Sequence, residues 1–178
     1  MSMRHRLLLL LSILALGACG QAERKGCPSR DLAALGRDEA ARALPESLPA
    51  PDCVLDPAEL QRYIQGREEG LKRYCVAQRG YQLAMDGKPI KAEMCPAEAA
   101  AELQRGFAIG DNLRNHLRQR DDLLNEARDI ERAGATLPKD SPERRKLEDE
   151  AAGKRFDARQ HENEVEALRG IVAVERWR

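Results

Sequence analysis

The sequence predicts a mainly α-helical fold: a small disulfide-stapled helical head with a short irregular or hairpin-like insert, followed by a long antiparallel αα-hairpin. Three observations predict it. The stretches from Pro96 to about Ala133 and from Ser141 to about Arg176 hold a helical pattern with only a short GATLPKDS turn near their junction. All five cysteines precede those stretches, and four of them, Cys27, Cys53, Cys75 and Cys95, lie beyond the N-terminal apolar run and the cysteine that ends it. The only aromatics are Tyr63, Tyr74, Tyr81, Phe107, Phe156 and Trp177, so Leu and Ala must fill the core.

The chain begins with MSMRHR and the apolar run LLLLLSILAL, too short for a permanent span and typical of a signal peptide over residues 1–18. The run ends at Leu16-Gly17-Ala18-Cys19, which resembles the bacterial lipobox. That resemblance implies lipidation of Cys19, with acyl chains such as palmitate on its sulfur and new amino terminus. Two chains anchor stably where one is marginal. An ordinary signal peptide that happens to precede a cysteine is the alternative. By resemblance to known lipoprotein sorting rules, Gly20, standing where Asp would favour inner-membrane retention, implies the periplasmic face of the outer membrane of a Gram-negative envelope. Residues 19–28 then form the lipidated N-terminus and a polar tether.

The head is expected over residues 29–96. SRDLAALGRDEAARAL, residues 29–44, reads as a helix with Ser29 or Asp31 as N-cap. The prolines of PESLPAPDC make an extended connector. Asp56-Pro57-Ala58-Glu59 carries the cap, the N1 proline and the early acid of a second helix, running to about Tyr74. Between Cys75 and Cys95, Gly80, Asp86-Gly87 and Pro89 read as turn residues, with Tyr81–Met85 as a short strand. Four cysteines in an oxidising compartment predict two disulfides in one of three connectivities. Sequential pairing, Cys27 with Cys53 and Cys75 with Cys95, closes the shortest loops.

Residues 97–178 are expected to form the hairpin. Pro96 opens a third helix of about 37 residues, roughly 55 Å at 1.5 Å per residue. Asp140-Ser141-Pro142-Glu143 starts the last one. In the last helix a heptad places Ala151, Ala158, Val165 and Val172 at a, with Leu147, Lys154, His161 and Leu168 at d. The facing register runs Leu103, Gly110, Leu117, Leu124 and Glu131 at a, and Ala99, Gly106, Leu113, Arg120 and Ala127 at d. Lys154, His161 and Arg120 interrupt the seam, so this coiled coil is thin and leaves room for a partner or a second copy.

Small residues recur four apart at Gly36/Ala40, Gly66/Gly70 and Gly106/Gly110. That spacing lies on one helix face and lets another backbone come close. Tyr63-x-x-Gly66-Arg67-x-x-Gly70-Leu71-x-x-Tyr74-Cys75, then Gly80, Gly87, Cys95-Pro96 and Phe107-x-x-Gly110, resembles the bacterial lipoprotein family catalogued as domain of unknown function number 2799. The resemblance covers about residues 31–130. Leu32 and Ala40 depart from the aromatic and the glycine expected there, and Phe107 stands where tyrosine is usual. The family brings no activity with it.

The chain has 30 basic and 30 acidic side chains, interspersed, and cleavage before Cys19 removes only Arg4 and Arg6 among them. That near-neutral pattern argues against nucleic acid as a partner. The hydroxyls Ser29, Ser47, Ser141 and Thr136 fall in caps and turns, and His116 and His161 are the only imidazoles after Cys19. No catalytic set, metal site or cofactor site is expected from these residues. The function expected is a non-enzymatic, membrane-anchored envelope protein that binds a protein partner, or itself, through its hairpin. The alternative is a ligand-binding or cell-wall-remodelling accessory with a site on the head, at Tyr63, Arg67, Tyr74 and Tyr81.

Overall fold

The computed structural model describes residues 31–177; Cys19, Cys27, the signal segment and the tether lie outside them. Helix α1 spans Leu32–Ala41, with the Asp31 carboxylate accepting from the Ala33 and Ala34 amides. Helix α2, Pro57–Tyr74, opens with a reciprocal capping box between Asp56 and Glu59 and with Pro57 in its first turn. Helix α3 is Ala77–Met85, followed by a 3-10 turn at Ala92–Met94. Helix α4 runs Ala97–Ala135 and helix α5 runs Pro142–Val174, capped by the Ser141 hydroxyl on the Arg144 amide at 3.2 Å. The mainly helical fold, the Cys75–Cys95 staple and the long hairpin are as expected.

The insert is not hairpin-like. No strand occurs among the described residues, and the segment read as turn and strand is α3. The reason is periodicity on a short scale. Ala77, Gly80, Leu83 and Ala84 fall on a buried helical face, and α3 lays it against α4. A helix of nine residues is marginal alone, so this contact and the disulfide flanking it make α3 helical.

With α3 helical, the head and the start of α4 together form two copies of one motif. Ala33-x-x-Gly36-x-x-x-Ala40 in α1 matches Ala77-x-x-Gly80-x-x-x-Ala84 in α3, and Tyr63-x-x-Gly66-x-x-x-Gly70 in α2 matches Leu103-x-x-Gly106-x-x-x-Gly110 in α4. The contacts match too. A methyl on Gly66 would overlap the Ala33 carbonyl, and one on Gly106 the Ala77 carbonyl. Gly36 admits the Tyr63 carbonyl, Gly80 the Leu103 carbonyl, Gly70 the Arg37 carbonyl and Gly110 the Tyr81 carbonyl. Each pair thus brings backbone against backbone. The helix ends agree as well: Leu44 N–H bonds Glu39 O after α1, and Lys88 N–H bonds Leu83 O after α3, both at 2.8 Å. The residue between, Ala43 or Gly87, has positive φ in each.

Two cores accompany the motifs. Leu32, Leu48, Cys53 and Tyr63 fill the first. Ala43, Tyr74, Cys75, Leu83 and Leu103 fill the second, flanked by Leu71, Ile90 and Met94. Helix α4 belongs to both halves of the molecule, packing α3 near its start and α5 along its length. The hairpin seam buries Ala151, Ala158 and Val165 of α5 against Leu113, Ala127 and Gly134 of α4. The a line expected on α4 drifts outward, so that Leu124 is exposed while the d line, with half-buried His116, Leu123 and Ile130, carries the contact.

Candidate functional site

In the first motif Glu39 is buried, and so is Arg67. The Glu39 carboxylate accepts from the Tyr63 hydroxyl at 2.6 Å, from Arg67 Nη1 at 3.3 Å and from the Ser47 hydroxyl. Arg67 also donates to Leu44 O at 3.3 Å and pairs with Glu46. Burial pushes the Glu39 carboxyl up, but the Ser47 and Tyr63 hydrogen bonds and the Arg67 charge outweigh it and leave its pKa lowered. The second motif replaces this network with apolar residues, since Leu83, Leu103 and Phe107 occupy the positions of Glu39, Tyr63 and Arg67.

The tyrosines expected at a ligand surface make internal contacts. Tyr63 accepts the Ser47 amide at 3.1 Å, and Tyr74 accepts the Lys91 amide at 2.8 Å, so each pins the connector that follows α1 or α3. Lys91 also donates to Ala43 O at 2.9 Å, tying the two motifs together. Tyr81 lies 5.9 Å from the Trp177 ring. Trp177, reached through a positive-φ Arg176, is buried there with the Arg105 guanidinium over it at 5.2 Å. Cys75 and Cys95 are joined, with their Cα atoms 5.7 Å apart. Cys53 is a buried disulfide cysteine whose partner lies outside the described residues.

The contacts of Glu39, Ser47, Lys91 and Trp177 escape a sequence reading. Glu39 had a faint signal: it falls on the same face as Gly36 and Ala40, where a charge needs a partner.

Along the hairpin, every polar interruption of the seam is matched across it. Arg120 pairs with Glu162 at 2.6 Å, Lys154 with Glu126 at 2.6 Å, and Arg105 with Glu175 at 2.9 Å near the open end. Hydrogen bonding to Glu162, then to Asp121, raises the Arg120 pKa; Glu126 does the same for Lys154. His116 and His161 meet with their Nδ1 atoms 2.9 Å apart, so one ring donates its N–H and the other accepts. Among the described residues no group of three potential metal ligands occurs. No described helix is long and apolar enough to cross a membrane.

The polar contacts found here therefore align helices and close loops. The surfaces left open are the outer faces of α4 and α5 and a groove of about 490 Å³ lined by Glu68, Leu71, Lys72, Cys75, Pro96 and Ala99. No curated protein and no solved structure matches the chain. Residues 33–112 match a family model, and this span takes in both glycine motifs and stops in α4 near the last residues that α3 covers. The matched model is described as protein of unknown function, DUF2799, and the likeness is to that family over residues 33–112.

Proposed function

We propose that the chain is a lipid-anchored envelope protein whose work is binding, not catalysis, and that the α4–α5 arm is the binding element. The observation that carries this reading is the arm itself. From about Asn115 to Ala135, α4 has α5 as its main packing partner, and the pair extends about 30 Å past the head at 1.5 Å per residue. Its seam is closed by ion pairs and small side chains, which leaves the outer faces of both helices for contact with something else. Leu16-Gly17-Ala18-Cys19 supports the anchor, which would hold the head near the membrane on a short tether.

Photoreactive residues at exposed arm positions Gln119 and Arg128, and at Val54 in the head, test this in intact cells. Capture of a protein from the arm positions is expected. Capture from Val54 alone overturns the assignment to the arm. Lipidation is checked separately: labelled palmitate should enter the wild-type chain and not Cys19→Ser, which should leave the membrane fraction.

A second reading is favoured by the groove between α2 and the start of α4, which is mostly apolar and open. A small ligand seated there should shift the amide resonances of Leu71, Lys72 and Ala99 saturably when soluble cell-wall fragments are titrated. Unchanged resonances remove this reading.

A further inference from the structure

The outward face of α5 carries a second heptad seam. Ala151, Ala158 and Val165 bury the inward face against α4. Opposite them, Gly153, Phe156, Gln160, Asn163, Ala167, Gly170 and Val174 follow at alternating spacings of three and four, and all are exposed. No member of this series is charged, although charges crowd the rest of the helix. Alternation of three and four is the spacing of residues that face a partner helix.

Two members set this face apart from ordinary surface. At Gly36, Gly66, Gly70, Gly80, Gly106 and Gly110 the missing side chain admits a neighbouring backbone. At Gly153 and Gly170 nothing lies within 4 Å. A glycine inside a helix costs about 1 kcal/mol relative to alanine, and among the described residues nothing packs on these two to offset it.

We propose that this seam pairs with the same seam of a second copy of the chain, the two α5 helices running parallel. The inference rests on the arm being the binding element and names a surface and a partner for its α5 side, apart from whatever Gln119 and Arg128 of α4 contact. Charge sets the orientation. In a parallel pair, the residue preceding one seam position faces the residue five further on in the other copy. Arg159 then meets Glu164 of the second copy, twice by symmetry. Neither residue makes an ion pair among the described residues; Arg159 instead lies over the Phe156 ring at 5.8 Å. An antiparallel pair would also join opposite charges, Arg159 with Glu166, but it would set Asp157 against Glu164, carboxylate on carboxylate. Gln160 and Asn163 suit a self-pair, because an amide is donor and acceptor at once and can bond its own copy across the axis. Gly153, Ala167 and Gly170 allow the backbones to approach.

The test uses the full chain in its envelope, in two differently tagged copies, with a photoreactive residue at Asn163 and a control at Gln119 on α4. A crosslink joining the two tags is expected from position 163 and not from 119. Arg159→Glu and Glu164→Arg should each lower its yield about tenfold, the scale of exposed ion pairs turned repulsive. The double swap should restore it. Among the described residues neither has an ion-pair partner whose loss could unfold the chain, and the Phe156 ring under Arg159 is itself exposed. Restoration by Arg159→Glu with Glu166→Arg instead would overturn the parallel arrangement. Absence of any self-crosslink at 163, while Gln119 or Arg128 captures a different protein, overturns the pairing and leaves the arm's role standing.

Discussion

Gly66 and Gly153 are the same residue type in the same kind of helix, and the fold gives them opposite values. A methyl at Gly66 would overlap the Ala33 carbonyl and neighbouring backbone, so Gly66→Ala must push α1 off α2. A loss of roughly 3 kcal/mol is expected, the upper range for overpacking. Gly153 has open space, and Gly153→Ala should gain about 1 kcal/mol from helix propensity. Thermal melts at low protein concentration read both, and a stabilised Gly66→Ala would contradict the backbone contact. Glu39 makes a pH prediction of definite sign. Its carboxyl is lowered in the fold, so its contribution is complete above the ordinary carboxylate range and is lost as pH falls through the lowered value. Glu39→Gln leaves Arg67 buried without its main partner and should cost about 3 kcal/mol at neutral pH. It should also flatten the acid limb of the stability curve. An unchanged acid limb would show that other carboxylates govern acid unfolding.

At the scale of elements, the helix ends decide how the pieces face. Three helices finish in the same way, with Ala43, Gly87 and Arg176 at positive φ after α1, α3 and α5. Only Gly87 adopts that conformation without a side-chain penalty. Arg176→Gly should therefore stabilise by about 1 kcal/mol, because the Arg176 side chain is exposed and loses little packing. Gly87→Ala should cost a similar amount, and its methyl must also displace the Arg114 guanidinium. Melting temperatures moving in the reverse directions would refute the shared end geometry. Elements with local signals are legible from sequence: Asp56-Pro57-x-Glu59 and Ser141-Pro142 announce α2 and α5 within a residue of where they start. Helix α3 is not. It has no side-chain cap, holds a glycine, and becomes helical only against α4, a contact remote in sequence. The glycine faces of α1, α2 and α4 are legible because their spacing is local. The Glu39 network is not, since it joins positions 39, 47, 63 and 67 through a loop.

At the scale of the whole molecule, the second motif couples head to arm. Its α3 is held by the Cys75–Cys95 disulfide on one side and touches the end of the chain on the other, where Trp177 packs on Tyr81 and Glu175 pairs with Arg105. Opening the disulfide should therefore be felt at the far end of α5. The bond closes a loop with a sequence separation of 20, and losing it should cost about 3 kcal/mol in the chain-entropy view. Cys75→Ser with Cys95→Ser removes it without leaving a free thiol. Hydrogen exchange should then quicken in α3, in the first turns of α4 and in the last turns of α5. Trp177, the sole tryptophan, should shift its emission toward that of an exposed ring at a lower temperature. The first motif has its own core of Leu32, Leu48, Cys53 and Tyr63, and its α1 and α2 amides should stay protected. Equal loss of protection in α1 and α2 would mean that the two motifs fold as one unit. Loss confined to α3, with Trp177 unmoved, would mean that the contact with Tyr81 does not hold the arm to the head.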